Sequence, residues 1–154
     1  MRLGELPDHV GMTLVSPWVL VDQARIDAFA DCTEDHTFIH VDPVAAARVT
    51  GTGGTIAHGF LSLSLLGGLA TTVLRFWEQE SGVNYGLDKV RLLAPVPAGS
   101  RVRGVYRLAE ATERKPRQWR LRFDATLECE GSDRPALVAE WIIQAVDFPE
   151  AGAT

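Results

Sequence analysis

Cysteine is scarce in this chain. Only Cys32 and Cys129 occur in 154 residues, far apart and with no further Cys or His at metal-ligand spacing, so neither a disulfide framework nor a zinc site is indicated. An excess of basic charge is missing as well. The formal net charge is −5, which provides no overall positive field of the kind that nucleic-acid binding requires. The N-terminus lacks the basic start and apolar stretch of a secretory leader, since Met1 to Val10 carries Glu5, Pro7 and Asp8 instead. No export is therefore expected, and a reducing cytoplasm suits the two thiols. Repeats, linkers and low-complexity tracts are also absent, apart from the closing Pro149 to Thr154.

What is present is enough apolar material for one core. With 46% hydrophobic residues in 154, the chain reads as a single domain over residues 1–148 followed by a flexible tail, 149–154. Trp18 to Val21 can form a short strand. Asp22 then offers an N-cap for a helix that places Ile26, Phe29 and Ala30 on one face. Asp31 to Val41, with Cys32, Thr33, Asp35, His36, Thr37 and His40, is too polar and aperiodic for a core element and reads as a loop. Asp42-Pro43 supplies a cap and a first-turn proline for a short Ala-rich helix ending near Thr50-Gly51, where a glycine cluster interrupts the chain.

From His58 to about Trp77 the sequence is apolar around its whole helical circumference, so this helix has to be buried. Gly67, Gly68, Ser62, Ser64, Thr71, Thr72 and Arg75 dilute it, and no basic cluster flanks it, which argues against membrane insertion. From Asn84 the period changes to two. Strands are expected over Asn84 to Leu93, Arg101 to Leu108, Trp119 to Glu130 and Pro135 to Asp147. The third is the clearest, with Trp119, Leu121, Phe123, Ala125, Leu127 and Cys129 on one face and charged or polar residues on the other. An apolar helix followed by strands with one dry face has a simple solution, in which an antiparallel sheet wraps the helix as in the α+β hot-dog fold.

Two groups of residues can carry chemistry. Asp35 and His40 stand five apart just before the capped Asp42-Pro43, and a carboxylate with an imidazole can share the base and acid roles needed to add water to a conjugated thioester. By spacing alone they could equally make turn hydrogen bonds or face solvent. The second group is Ile56-Ala57-His58-Gly59-Phe60. The unpaired N–H groups and positive dipole end of a buried helix can stabilise an enolate oxygen, and Gly59 permits close approach. A plain connection with His58 as a satisfied polar residue is the alternative.

The stretch from Phe29 to Ser64, FADCTEDHTFIHVDPVAAARVTGTGGTIAHGFLSLS, resembles the MaoC-like (R)-specific enoyl-CoA hydratases. It combines Asp35, His40, Asp42-Pro43 and Ile56 to Gly59 in that family's order and spacing. Asn84 to Arg91 and Ala94 to Arg103 are similar to the nodulation-protein-N-like branch. The resemblance implies a homodimer of hot-dog domains that takes an acyl-CoA or acyl-carrier-protein thioester and uses no metal or redox cofactor. It further implies that Asp35 and His40 are catalytic, and that Gly59 N–H meets the thioester oxygen. His58 and Leu92 join Gly59 as candidate substrate-binding residues. This chain departs from the family pattern in having Glu34 before Asp35 and Thr37-Phe38 after His36, where many members have Gly and Asn-Pro. Many members also have Phe at the position of Leu92. Two other readings of a hot-dog protein are an acyl-CoA thioesterase and a non-catalytic acyl-CoA binding module. Arg114, Lys115, Arg117, Arg120 and Arg122 read as a solvated strand face rather than a phosphate site, and His36 as pointing outward.

Overall fold

The computed structural model describes residues 2–74 and 80–147. Its strands follow the alternation closely. β5 (Gln118–Cys129) buries Leu121, Phe123, Ala125, Leu127 and Cys129 on one face. It lies between β4 (Ser100–Lys115) and β6 (Leu137–Asp147), antiparallel to both. β3 (Glu80–Leu92) pairs with the far side of β6, while the short β1 (Thr13–Val15) and β2 (Val19–Val21) both pair with β4. The result is a six-stranded antiparallel sheet in the order β1-β4-β5-β6-β3, with β2 beside β1 on β4.

Four helices are described: α1 (Gln23–Thr33), α2 (Phe38–Val41), α3 (Pro43–Ala46) and α4 (Gly59–Ala70). α4 lays Leu61, Ser62, Leu66, Leu69 and Ala70 against the sheet. Burial of each leucine is worth about 1.5–3 kcal/mol before entropy is counted. One cluster joins these residues to Leu3, Val21, Ile26, Phe123 and Ile143, so helix and sheet share a core in the hot-dog arrangement. The Tyr106 hydroxyl fastens it by donating to the Leu66 carbonyl at 2.7 Å.

Several boundaries differ from expectation. α4 ends its regular turns at Ala70 and continues as a turn through Val73, while residues 75–77 of the anticipated run lie outside the described residues. The sheet covers only part of the helix circumference, and Phe60, Ser64 and Gly68, four apart on one stripe, are exposed in the single chain. β4 extends seven residues beyond Leu108, because Ala109 to Lys115 is held by pairing with β5 although its composition is polar. Leu3–His9 forms a 3-10 segment that the sequence did not announce. The 149–154 tail lies outside the described residues.

β3 contains two register shifts, one between Asn84 and Gly86 and one between Asp88 and Arg91. At the second, Lys89 adopts φ 50°, in the left-handed region that non-glycine residues seldom enter. The solvent face of the sheet is laced by opposite charges. Arg103 meets Glu128 at 2.7 Å, Arg107 meets Asp124 at 3.0 Å, and Arg122 sits among Glu110, Asp124 and Glu140. Arg120 lies over the Tyr85 ring. Such exposed pairs contribute a few tenths of a kcal/mol each, roughly, and fit a solvated face.

Candidate active site

The Asp31 to Val41 segment is more ordered than a loop, because helical hydrogen bonding takes over both of its ends. Asp22 caps α1 by accepting the Arg25 N–H at 2.9 Å, and α1 runs on to Thr33 before Glu34 turns the chain at φ 59°. Four residues later α2 begins, so His40 is carried on a helical turn. Its N–H bonds the Thr37 carbonyl at 2.9 Å. Asp42 then caps α3, accepting from Val44 N at 3.0 Å and Ala45 N at 2.9 Å. The two short helices are thereby locked end to end behind His40.

Ile56 to His58 approaches from the other side as an extended strip. Ile56 N bonds the Ile39 carbonyl at 3.0 Å and Ala57 N bonds the Val96 carbonyl at 2.8 Å, so the strip lies between α2 and the segment preceding β4. Gln23 ties the assembly together: its amide donates to the His40 carbonyl at 2.8 Å and accepts from the Thr55 hydroxyl. His58 then occupies the N-cap of α4, and Gly59 opens the helix with the free first-turn N–H of any helix start.

The ring of His40 is oriented by its partners. Its Nδ1 lies 2.7 Å from the Ile56 carbonyl, which can only accept, so Nδ1 carries the proton and the neutral ring offers Nε2 as a bare lone pair. His40 is buried, 8% exposed. Asp35 is exposed, and its Oδ1 accepts from the Thr37 hydroxyl at 2.6 Å and the Thr37 N–H at 3.3 Å. The Thr37 hydroxyl, followed by the Thr37 amide, holds the Asp35 carboxyl below its ordinary value of 3.8, with His58 and His40 adding to the effect against some desolvation. Asp35 thus stays ionised to lower pH than a free aspartate.

A carboxylate oxygen of Asp35, a ring nitrogen of His40 and a ring nitrogen of His58 all lie within 4.8 Å of one another. Such a set can bracket a single water, and it is also a donor set that a divalent cation could use, although one nitrogen of each ring is already committed to a main-chain carbonyl. His40 lines a cavity of about 390 Å³ whose walls include Ile39, Ile56, Gly59, Ser62 and Leu92. The structure thus brings His40, Gly59 and Leu92 to one cavity. Leu92 packs so closely over Gly59 that a Cβ there would overlap its Cδ1. His58 is 2% exposed, with its ring stacked on His40. His36 points away, more than half exposed and 3.8 Å from Asp31.

Sequence reasoning missed Thr37 and Gln23. Thr37 left a usable signal, because a hydroxyl two residues after an Asp is placed to bond its carboxylate. Gln23 left none, since its value depends on α2 and Thr55 arriving from elsewhere in the chain.

Because Thr37 holds Asp35 ionised, Thr37→Val should move the acid limb of the kcat/KM–pH profile upward. The sign follows from the depressed carboxyl. Its contribution is present above 3.8 and is lost as pH falls through the lower folded value, so removing the hydroxyl brings that loss nearer to neutrality. An unchanged acid limb in Thr37→Val would separate Asp35 ionisation from activity.

Comparison with known proteins places this geometry in context. The family pattern described as MaoC like domain matches residues 6–123. The chain is 47% identical over 144 residues to nodulation protein N of Rhizobium leguminosarum bv. viciae, spanning 92% of this chain and 89% of that protein. It is 45% identical over 132 residues to 3-hydroxyacyl-thioester dehydratase Z of Mycobacterium tuberculosis, spanning 85% and 86% respectively. Among solved structures, the (R)-hydratase from A. caviae involved in PHA biosynthesis matches with a TM-score of 0.71 at 26% identity, over 87% of this chain and 94% of that one.

Proposed function

We propose, from the premise that this chain belongs to the MaoC-like domain family, that it adds water reversibly across the double bond of a trans-2-enoyl thioester to give the (R)-3-hydroxyacyl thioester. The dehydratase and hydratase names of its relatives support chemistry on acyl thioesters. The observation that carries the reading is the approach of the Asp35 carboxylate to a ring nitrogen of His40, a residue that lines one cavity with Gly59.

In this reading the thioester carbonyl oxygen meets the Gly59 N–H at the positive end of α4, and Leu92 and Ile56 hold the enoyl group. Asp35, an acceptor only, orients a water against His40. Nε2 removes one water proton as the oxygen bonds the β-carbon, and the alkene electron pair moves onto the thioester as an enolate. The proton on Nε2 then passes to the α-carbon, so one imidazole serves as base and then acid on the same face. Dehydration is the same path reversed. The carrier is CoA or acyl-carrier protein, and the reducing cytoplasm accommodates both free thiols, exposed Cys32 and buried Cys129.

The working unit is a homodimer in this reading. The outer edge of β3 has no partner strand among the described residues. Exposed Val83, Tyr85 and Leu87 lie along it, and exposed Phe60 lies on α4. An open edge with apolar side chains is a template for pairing with a second copy. Purified protein should therefore sediment at twice 16.8 kDa and consume the conjugated-thioester absorbance of enoyl-CoA esters across a chain-length panel. Release of free thiol from saturated acyl-CoA without hydration would point to thioester hydrolysis instead. Binding with no turnover at any chain length would defeat the proposal.

A further inference from the structure

The stacked histidine behind His40 has no role in the steps above, although it is among the most buried polar residues of the chain. His58 is 2% exposed, its ring centroid 3.8 Å from that of His40 with 25° between the planes, and Phe29 covers it from α1 at 5.0 Å. Its Nε2 lies 2.9 Å from the main-chain carbonyl of Asp35. A carbonyl only accepts, so Nε2 carries the proton and Nδ1 is bare. That Nδ1 is buried and has no hydrogen-bond partner among the described residues. A buried polar atom left unpaired is costly, so its retention at this site calls for a compensating role.

We infer that His58 is a positioning residue that fixes Asp35 and His40 relative to each other, rather than a group that contacts substrate. The inference rests on the hydratase reading for its catalytic meaning, and on geometry for its mechanism. Asp35 is exposed and follows a left-handed Glu34, so its segment has little packing of its own. The His58 donor bond ties that segment to the α4 cap. His40 is turned by the Ile56 carbonyl at one nitrogen, and the His58 face limits how far its ring can tilt. One side chain thereby sets both halves of the dyad, and both hold to the element that starts with Gly59. The groups facing His58 are Phe29, His40 and the Asp35 segment, the last carrying the nearby carboxylate.

Two variants separate the possible roles. His58→Phe keeps an aromatic face but removes the donor, and His58→Gln keeps a donor near Nε2 without the ring. For enoyl-thioester hydration, His58→Phe should lower kcat by about 100-fold with KM little changed, the size of loss expected from small misplacement of reacting groups. His58→Gln should recover a large part of it. Long-range proton–nitrogen correlation spectra should show His58 protonated at Nε2 and bare at Nδ1. The amide resonances of Asp35 to Thr37 should shift in His58→Phe and return toward their wild-type positions in His58→Gln. A raised KM with kcat intact would make His58 a substrate contact and overturn the inference. So would full kcat in both variants with only a lower Tm, which would mark a packing residue. The spectra do not depend on turnover, so an inactive wild type would defeat the hydratase reading alone. Unaltered Asp35 to Thr37 amides in His58→Phe would defeat the positioning role alone.

Discussion

His40→Gln should lower kcat for enoyl-thioester hydration by about 10²–10⁴-fold while leaving KM nearly unchanged. Glutamine can still hydrogen-bond a water, but it cannot take the water's proton, and removing that proton is the step assigned to Nε2. Asp35→Asn should show a loss of similar order for a different reason. The amide keeps the volume yet offers one acceptor where the carboxylate offers two, and its NH₂ group placed toward the Thr37 N–H would set donor against donor. The two losses should not multiply. If both residues act on one water, the double variant falls no further than the worse single variant, as expected for groups that work as a unit. A double variant whose loss equals the product of the two would mean that Asp35 and His40 serve separate steps. Steady-state kinetics of the three proteins decide between these outcomes, and Tm values exclude loss of fold as the cause.

Gly104→Ala should destabilise the protein by about 2–6 kcal/mol, although it adds one methyl group. Gly104 lies on β4 two residues before Tyr106, so both face the core and the Tyr106 ring leans back over the glycine. An added Cβ would come within 2.5 Å of Tyr106 Cζ and 2.7 Å of its Cε2. Tyr106 has nowhere to retreat, being fully buried with tilted Trp141 at 6.1 Å. Overpacking of this kind costs about 1–3 kcal/mol. Displacing the ring also breaks the bond from its hydroxyl to the Leu66 carbonyl, leaving a buried phenol unsatisfied for about 1–3 kcal/mol more. Tyr106→Phe should cost only about 1 kcal/mol by comparison. The pair Gly104→Ala and Tyr106→Leu should regain part of the loss by vacating the space. Equal Tm values for Gly104→Ala and wild type would show that the strand can shift to admit the methyl. Burial also pushes the Tyr106 phenol well up, so stability should begin to fall as pH rises past the ordinary 10.0.

Much of this architecture could be read from residue order because its elements are locally consistent. β5 alternates without interruption, so its dry face could be named residue by residue, and Asp22 and Asp42 cap the helices where their side chains predict. The misreadings share a cause. Ala109 to Lys115 is polar and became strand through pairing with β5. The His40 turn is only four residues long and became helical between two well-capped neighbours. In both cases the structure came from outside the segment, and local pattern cannot report that. At the site, Asp35, His40 and Gly59 were legible as chemistry and as a family pattern. The Ile56 carbonyl that selects the His40 tautomer, the Gln23 clasp and the stacking of His58 were not, since each is a property of three-dimensional adjacency.

The irregular pairing of β3 with β6 has its own consequence. Each shift adds one residue to β3 that β6 does not match, and the extra residue is absorbed where it occurs. Leu92, the wall that closes over Gly59, lies beyond both shifts yet stays opposite buried Leu137, so pairing with β6 decides its direction. Deleting Lys89 would remove the left-handed residue and let Asp88 to Leu92 pair with Glu140 to Leu137 without a break, keeping that wall in place. The irregularity along this edge therefore bends the strand without choosing which side of it meets the cavity.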